Sequence, residues 1–173
     1  QFIFFSGIGV DKANNSNRTQ AIYESEQYIQ KNLNNYSIIR PGIIIGGDDQ
    51  FLKGLLPLFK MSFFIPLFGS GLSRFQPVFV DDLSSAINNI IKCDLLGKNL
   101  FEFMGPDIFT YKSFYEYLAN CMHKKRVLVP IPFGLLGLVI GILEKTPISP
   151  LNSEQLKLFK NDNIASNNFK NLA

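Results

Sequence analysis

Apolar positions fall into two kinds of segment, short unbroken runs and longer stretches with helical spacing, and the two kinds take turns along the chain. Residues 2–5 (Phe-Ile-Phe-Phe) form an unbroken run that stops at Ser6-Gly7, the pattern of a parallel strand covered on both faces. Asp11 to Asn17 is polar and Asn-rich, and reads as loop. Residues 18–33 place Ala21, Ile22, Ser25, Tyr28, Ile29 and Leu33 near helical spacing, with Glu24 and Glu26 expected on the wet side. Asn34-Asn35 stops this helix. Tyr36 to Arg40 is the next strand, closed by Pro41-Gly42 and continued by Ile43 to Ile45 as far as Gly46-Gly47. Strand, helix and strand in this order predict a βαβ unit with parallel pairing and a right-handed crossover.

Asp48-Asp49 caps a helix that runs from Gln50 to Met61, and an apolar run from Phe63 to Phe68 ends in the turn Gly69-Ser70-Gly71. Residues 75–80 read as a strand leading straight into a helix over 82–92, with Asp81 or Asp82 as its N-cap. A short strand over 99–104 closes at Gly105-Pro106, and Thr110 caps a helix to Met122. The pattern then predicts a strand over Val127–Ile131, an apolar helix over 133–144, a Pro147/Pro150 turn and a Ser153-capped helix to Lys160. The Asn-rich tail from Asn161 to Ala173 is expected to fray.

With 173 residues the chain can bury one sizeable core, and at 46% hydrophobic and 18% charged it is a globular sequence. The net charge of +3 is small, and no basic run is longer than Lys124-Lys125-Arg126, which argues against nucleic acid as a partner. Cys93 and Cys121 form no CxxC, and one histidine, His123, accompanies them, so a metal centre is not expected. Both cysteines fall on helix faces and are expected to be buried free thiols. No secretory signal pattern is present, and the abrupt opening Gln1-Phe2-Ile3-Phe4-Phe5 suggests a fragment cut at its N-terminus. The most apolar window, Val127 to Leu143, is broken by Pro130 and Pro132. The apolar run beyond these prolines is shorter than the ~20 residues of a spanning helix, and predicts a core or membrane-interface helix.

No GxGxxG occurs: Gly7-Ile8-Gly9 is followed by Val10-Asp11-Lys12, a strand-to-loop turn with no third glycine. The order of the other landmarks resembles the C-terminal half of an extended short-chain dehydrogenase/reductase. More narrowly, it resembles the NAD(P)H-binding accessory-subunit family of respiratory complex I. The resemblance rests on Phe4-Phe5-Ser6-Gly7-Ile8-Gly9, on Arg40-Pro41-Gly42-Ile43-Ile44-Ile45-Gly46, and on Asp48-Asp49-Gln50-Phe51-Leu52. It continues through Gln76-Pro77-Val78-Phe79-Val80-Asp81-Asp82, Gly105-Pro106, Val129-Pro130-Ile131-Pro132-Phe133, Pro150 to Gln155 and Asn161-Asp162-Asn163, covering nearly all of residues 2–164.

The resemblance implies an α/β fold: the last strands of a Rossmann-like parallel sheet over residues 1–104, plus a smaller, mainly helical lobe over 105–173, interleaved in one compact domain. It puts Ser6 at the hydroxyl position beside the substrate and Glu26 at the family's helix glutamate. The catalytic Tyr and Lys positions then hold Arg18 and Ile22. An arginine stays protonated and cannot act as the base, and an isoleucine cannot bond a ribose hydroxyl. No Tyr-x-x-x-Lys occurs elsewhere in the sequence, so no catalytic dyad is expected.

The resemblance further assigns Ser6, Gly7, Arg40, Pro41, Gly42 and Ile43 to the cofactor, and Arg74, Gln76, Pro77 and Asp82 to the substrate lobe, with Asp82 most simply an N-cap. The implied role is a non-catalytic accessory subunit whose parent protein holds NADPH or NADH structurally. Its partners would be complex I subunits, with peripheral membrane contact through 133–144 and neither nucleic acid nor metal. Its place would be cytoplasmic, peripheral at a bacterial inner membrane, or on the matrix side in a mitochondrion. Two alternatives stand beside this: an active NAD-dependent sugar-nucleotide epimerase, dehydratase or reductase, and an interaction or membrane-surface module that has discarded the nucleotide.

Overall fold

The computed structural model describes residues 2–11, 16–93, 97–135, 160–166 and 170–171. The expected Pro147/Pro150 turn, the Ser153-capped helix and most of the helix over 133–144 lie outside these residues. The chain divides into two units, one of residues 1–46, 76–108 and 163–173, the other of 47–75 and 109–162. Residues 47–75, expected in the nucleotide-binding half, therefore belong with the later helices, while 163–173 return to the first unit.

The first unit is built on four parallel strands in the order β1 (Phe2–Phe5), β2 (Tyr36–Pro41), β7 (Lys98–Phe103) and β10 (Lys170–Asn171). Alternation along β2 sends Ile38 and Ile39, both fully buried, to opposite faces. Ile38 packs with Ile29 and Tyr36, against Leu33 of the segment ending α1 (Asn17–Asn32). Ile39 packs with Val78, Phe101 and Phe103, and with Leu83 and Ile90 of α3 (Val80–Lys92). The expected βαβ unit is present, with β1 and β2 parallel on either side of α1 in sequence. A small parallel pair joins β3 (Ile44–Ile45) to β6 (Val78–Phe79), so Ile44-Ile45 changes partner and does not prolong β2.

In the second unit Asp49 accepts the Leu52 N–H at 2.6 Å and starts α2 (Gln50–Met61), as expected. Two strand pairs follow: β4 (Phe64–Phe68) runs parallel with β9 (Val127–Ile131), and β5 (Arg74–Phe75) antiparallel with β8 (Phe109–Thr110). Thr110 and Ser113 form a reciprocal cap on α4 (Tyr111–Cys121). The core of this unit is aromatic, with Phe75 stacked on Tyr111 at 4.6 Å and edge-on to Phe114 at 5.2 Å. Phe59 meets Tyr115 edge-on at 5.6 Å. Phe51 and Phe109 join them, so that five of the chain's 17 phenylalanines go into this packing.

Four expectations need correction. The strand over 75–80 is two strands, because Pro77 has no N–H for a ladder and β5 and β6 belong to different units. Helix α3 begins at Val80, so Phe79 occupies the N-cap without a side-chain bond, and Asp81 and Asp82 sit in the first turn. There they complement the helix dipole and do not cap. Cys93 and Cys121 are exposed, each at the C-terminal end of its helix. The tail does not simply fray, since residues 163–166 are hydrogen-bonded to the first unit and β10 pairs with β7.

Candidate cofactor edge of the sheet

Parallel strands bring their C-terminal ends to one edge of a sheet, where α/β proteins place ligands. Here that edge carries Ser6-Gly7 after β1, Pro41 at the end of β2 with Gly42 after it, and Met104-Gly105 after β7. The Ser6 N–H donates to Ile39 O at 2.8 Å, and the Ile8 N–H donates to Pro41 O at 3.1 Å. The Ser6 Oγ is buried with no hydrogen-bond partner among the described residues. A buried hydroxyl of this kind is the sort of group a ligand completes. Beyond it the chain turns through Gly9 at a φ of 73°, a left-handed conformation that suits glycine.

The other expected cofactor residues are largely committed to the protein itself. The Arg40 Nε and Nη2 donate to the two Glu26 oxygens at 2.9 and 2.5 Å, and Nη1 reaches Asp11 at 3.3 Å. Arg40 and Glu26 are both buried. Burial by itself would lower the Arg40 pKa. The Glu26 hydrogen bond and the charges of Glu26, Asp11 and Glu102 outweigh it, and hold Arg40 above its ordinary value. The Gly42 N–H donates to Phe103 O at 2.9 Å, and the Val78 N–H donates to Ile43 O at 2.9 Å. A Cβ on Gly42 would stand 2.4 Å from Gln76 O, so the glycine serves backbone packing at this point.

The substrate-lobe residues separate in the same way. Gln76 is buried and works as a clasp: its Nε2 donates to Gly105 O at 2.6 Å and its Oε1 accepts the Ala165 N–H at 3.2 Å. Its own N–H donates to Asn163 O at 3.0 Å, and Pro77 O accepts the Gly105 N–H at 3.0 Å. Asp82 lines a cavity of about 640 Å³ whose floor includes Leu83, Ile90, Phe103 and Met104. Arg74, in the second unit, is gripped by Asp162, which its Nε and Nη2 reach at 3.0 and 2.7 Å. Arg18 is exposed on α1, and Ile22 is half-buried there.

Sequence reasoning put Glu26 on the wet side of its helix and missed the pair it makes with Arg40. The signal was present, because Ile22, Glu26, Ile29 and Leu33 follow one helical stripe. Glu102 was missed as well. It accepts from the Ser166 N–H at 2.6 Å and from the Ser166 hydroxyl at 3.0 and 3.1 Å. No local pattern announces a bond across 64 positions.

No family model matches the chain. Among curated proteins, it is 28% identical over 179 residues to subunit 9 of the NADH dehydrogenase [ubiquinone] 1 alpha subcomplex, mitochondrial, of Arabidopsis thaliana. That match covers 97% of this chain and 44% of the relative. It is 24% identical over 154 residues to the mitochondrial NADH-ubiquinone oxidoreductase 40 kDa subunit of Neurospora crassa, covering 88% of this chain and 40% of the relative. The chain thus spans less than half the length of these relatives.

Among solved structures, dTDP-4-dehydrorhamnose reductase of Bacillus anthracis in complex with NADP superposes with a TM-score of 0.64 at 18% identity, over 79% of this chain and 52% of that one. A human epimerase family protein with NADPH gives 0.62 at 14% identity, over 80% of this chain and 51% of that one. At such identities the likeness speaks for the fold, and it agrees with the parallel sheet and its glycine-turned edge. The chain thus shares its fold with these reductase and epimerase structures and is similar in sequence to subunits of the mitochondrial NADH dehydrogenase.

Proposed function

We propose that this chain belongs to an NAD(P)H-binding accessory subunit of a respiratory complex I, one that holds its nucleotide as a structural element and does not turn it over. The observation that carries the reading is the pairing of these relatives with Arg18 and Ile22 at the dyad positions. Of the residues assigned to the cofactor, Ser6 and Gly7 fit it best: the Ser6 Oγ lacks a protein partner among the described residues, and space for a Cβ remains at Gly7. Arg40, Gly42 and Ile43 act one step back, by fixing the strand ends that carry the ligand edge. NADPH and NADH are both compatible with this edge.

Complex I subunits are the proposed partners, and the matrix side of the mitochondrial inner membrane is the proposed place, with peripheral contact that includes residues 133–144. Among the described residues no helix is long and apolar enough to cross a membrane.

The test is a fluorescence titration of NADPH and NADH into the longest polypeptide that contains this sequence. Nicotinamide absorbance is followed in parallel with a quinone and with sugar nucleotides. Saturable binding without oxidation is the expected result. Turnover of any sugar nucleotide would replace this reading with that of an active epimerase or reductase, and absence of binding would leave an interaction module.

A further inference from the structure

The segment 163–166 returns to the first unit at the ligand edge of the sheet, and hydrogen bonds pin its backbone there. Asn163 O accepts the Gln76 N–H at 3.0 Å, the Ala165 N–H donates to Gln76 Oε1 at 3.2 Å, and the Ser166 N–H donates to Glu102 at 2.6 Å. Gln76 in turn holds Gly105 O, which ties the segment to the strand end beyond β7. The Ser166 side chain is used as well, through its bonds to Glu102. The Asn163 side chain is not. It belongs to a half-buried residue, and its amide makes no hydrogen bond among the described residues. An amide on an open surface is satisfied by water, whereas one held half-buried at a ligand edge is placed to meet a ligand.

Beside Asn163 runs the turn that leaves β1. A Cβ on Gly9 would stand 3.5 Å from Asn163 Oδ1. The same turn opens with Ser6, whose buried Oγ also lacks a partner among the described residues. Its path is fixed by the bonds from the Ser6 and Ile8 N–H groups to Ile39 O and Pro41 O. Two neutral polar groups without protein partners thus belong to one turn, Ser6 at its start and Asn163 beside Gly9. The groups on the neighbouring strand end are already used, with the Gly42 N–H on Phe103 O and Ile43 O accepting the Val78 N–H. Arg40 is committed to Glu26 and Asp11. Such a pair suits an uncharged ligand group that both donates and accepts, and suits a phosphate poorly.

We infer that Asn163 contacts the nucleotide, and that its amide, together with the Ser6 hydroxyl, receives the carboxamide of the nicotinamide ring. A carboxamide brings an N–H donor and a carbonyl acceptor to a side chain that offers the same two. The inference rests on the nucleotide-binding reading proposed above, and extends it to a segment far along the chain from the turn it completes. Gln76 and Glu102 hold that segment through its backbone and through Ser166, so removing the Asn163 amide leaves its anchorage intact.

Isothermal titration calorimetry on the longest polypeptide that contains this sequence compares NADPH and NADH with phospho-ADP-ribose and ADP-ribose, which lack the nicotinamide. Asn163→Ala should weaken the nicotinamide forms about three- to tenfold, the scale of one neutral hydrogen bond, and leave the ADP-ribose forms unchanged. Its urea midpoint should match that of the unsubstituted protein. Equal weakening of nicotinamide and ADP-ribose forms, or a lowered urea midpoint, would make Asn163 a structural residue and overturn the inference. Undiminished affinity for the nicotinamide forms would overturn it as well, while the nucleotide reading stands. If the unsubstituted protein binds none of these ligands, that reading and this inference fall together.

Discussion

Taking the Arg40 guanidinium to 4% exposure and the Glu26 carboxylate to 0% is costly, and their mutual bonds offset the cost only while both partners remain. Glu26→Ala should therefore destabilise the protein by about 3–5 kcal/mol, read from the midpoint of urea unfolding. Adding Arg40→Met to that variant should restore much of the loss, since the uncompensated charge is then gone. A negligible effect of Glu26→Ala would mean that Asp11 or Glu102 can stand in for it. Gly42 and Gly105 are constrained in a different way. A Cβ would lie 2.4 Å from Gln76 O at the first and 2.2 Å from Pro77 O at the second. Either Gly→Ala change should cost about 1–3 kcal/mol through overpacking. The glycines and the Ser6-Gly7 strand end could be picked out from the sequence. The clasp made by Gln76 could not, because its partners lie 29 and 89 positions away.

At the level of elements, helices α2 and α4 began where their caps predicted, since Asp49 and Thr110 act through bonds three residues long. Strand boundaries were less legible. Val78-Phe79 and Arg74-Phe75 read as one strand because pairing partners, which decide the break, leave no mark on a local pattern. Helix α4 also gives the second unit a characteristic response to alkali. Burial raises the pKa values of Tyr111 and Tyr115 well above the ordinary 10.0, with Tyr115 adding a smaller charge effect on Tyr111. The native state then keeps protons that the unfolded chain has released, so stability is intact below pH 10 and falls as pH rises beyond it. Urea midpoints measured across this range should decline, and Tyr111→Phe should flatten the decline. A midpoint independent of pH would contradict the burial of these hydroxyls.

For the molecule as a whole, the sheet order β1-β2-β7-β10 puts β1 at an edge among the described strands, with Phe2 and Phe5 exposed. An apolar edge is a template for pairing with further chain. The 173-residue polypeptide should therefore associate as its concentration rises, and Phe5→Lys should suppress the association in light scattering. A monomer at all concentrations would show that the edge is protected. The α/β class, the parallel sheet and the order of landmarks were visible in the sequence as periodicity and punctuation. Interleaving was expected from the resemblance, but which segments each unit takes was not visible, because that depends on which distant segments pair.

That interleaving has a consequence for how the protein is made. By the time residue 108 has been synthesised, β1, β2 and β7 are all available to pair. The segment that occupies the Gln76 and Glu102 side chains, Asn163 to Ser166, is still unwritten. At about 5–20 residues per second the ribosome needs roughly 3–12 seconds to supply it. Throughout that interval the nascent sheet carries a glutamate without its serine and a strand, β7, with one flank bare. A nascent chain in this condition is a natural client for a chaperone, and a premature stop codon anywhere between 109 and 162 would leave it one permanently.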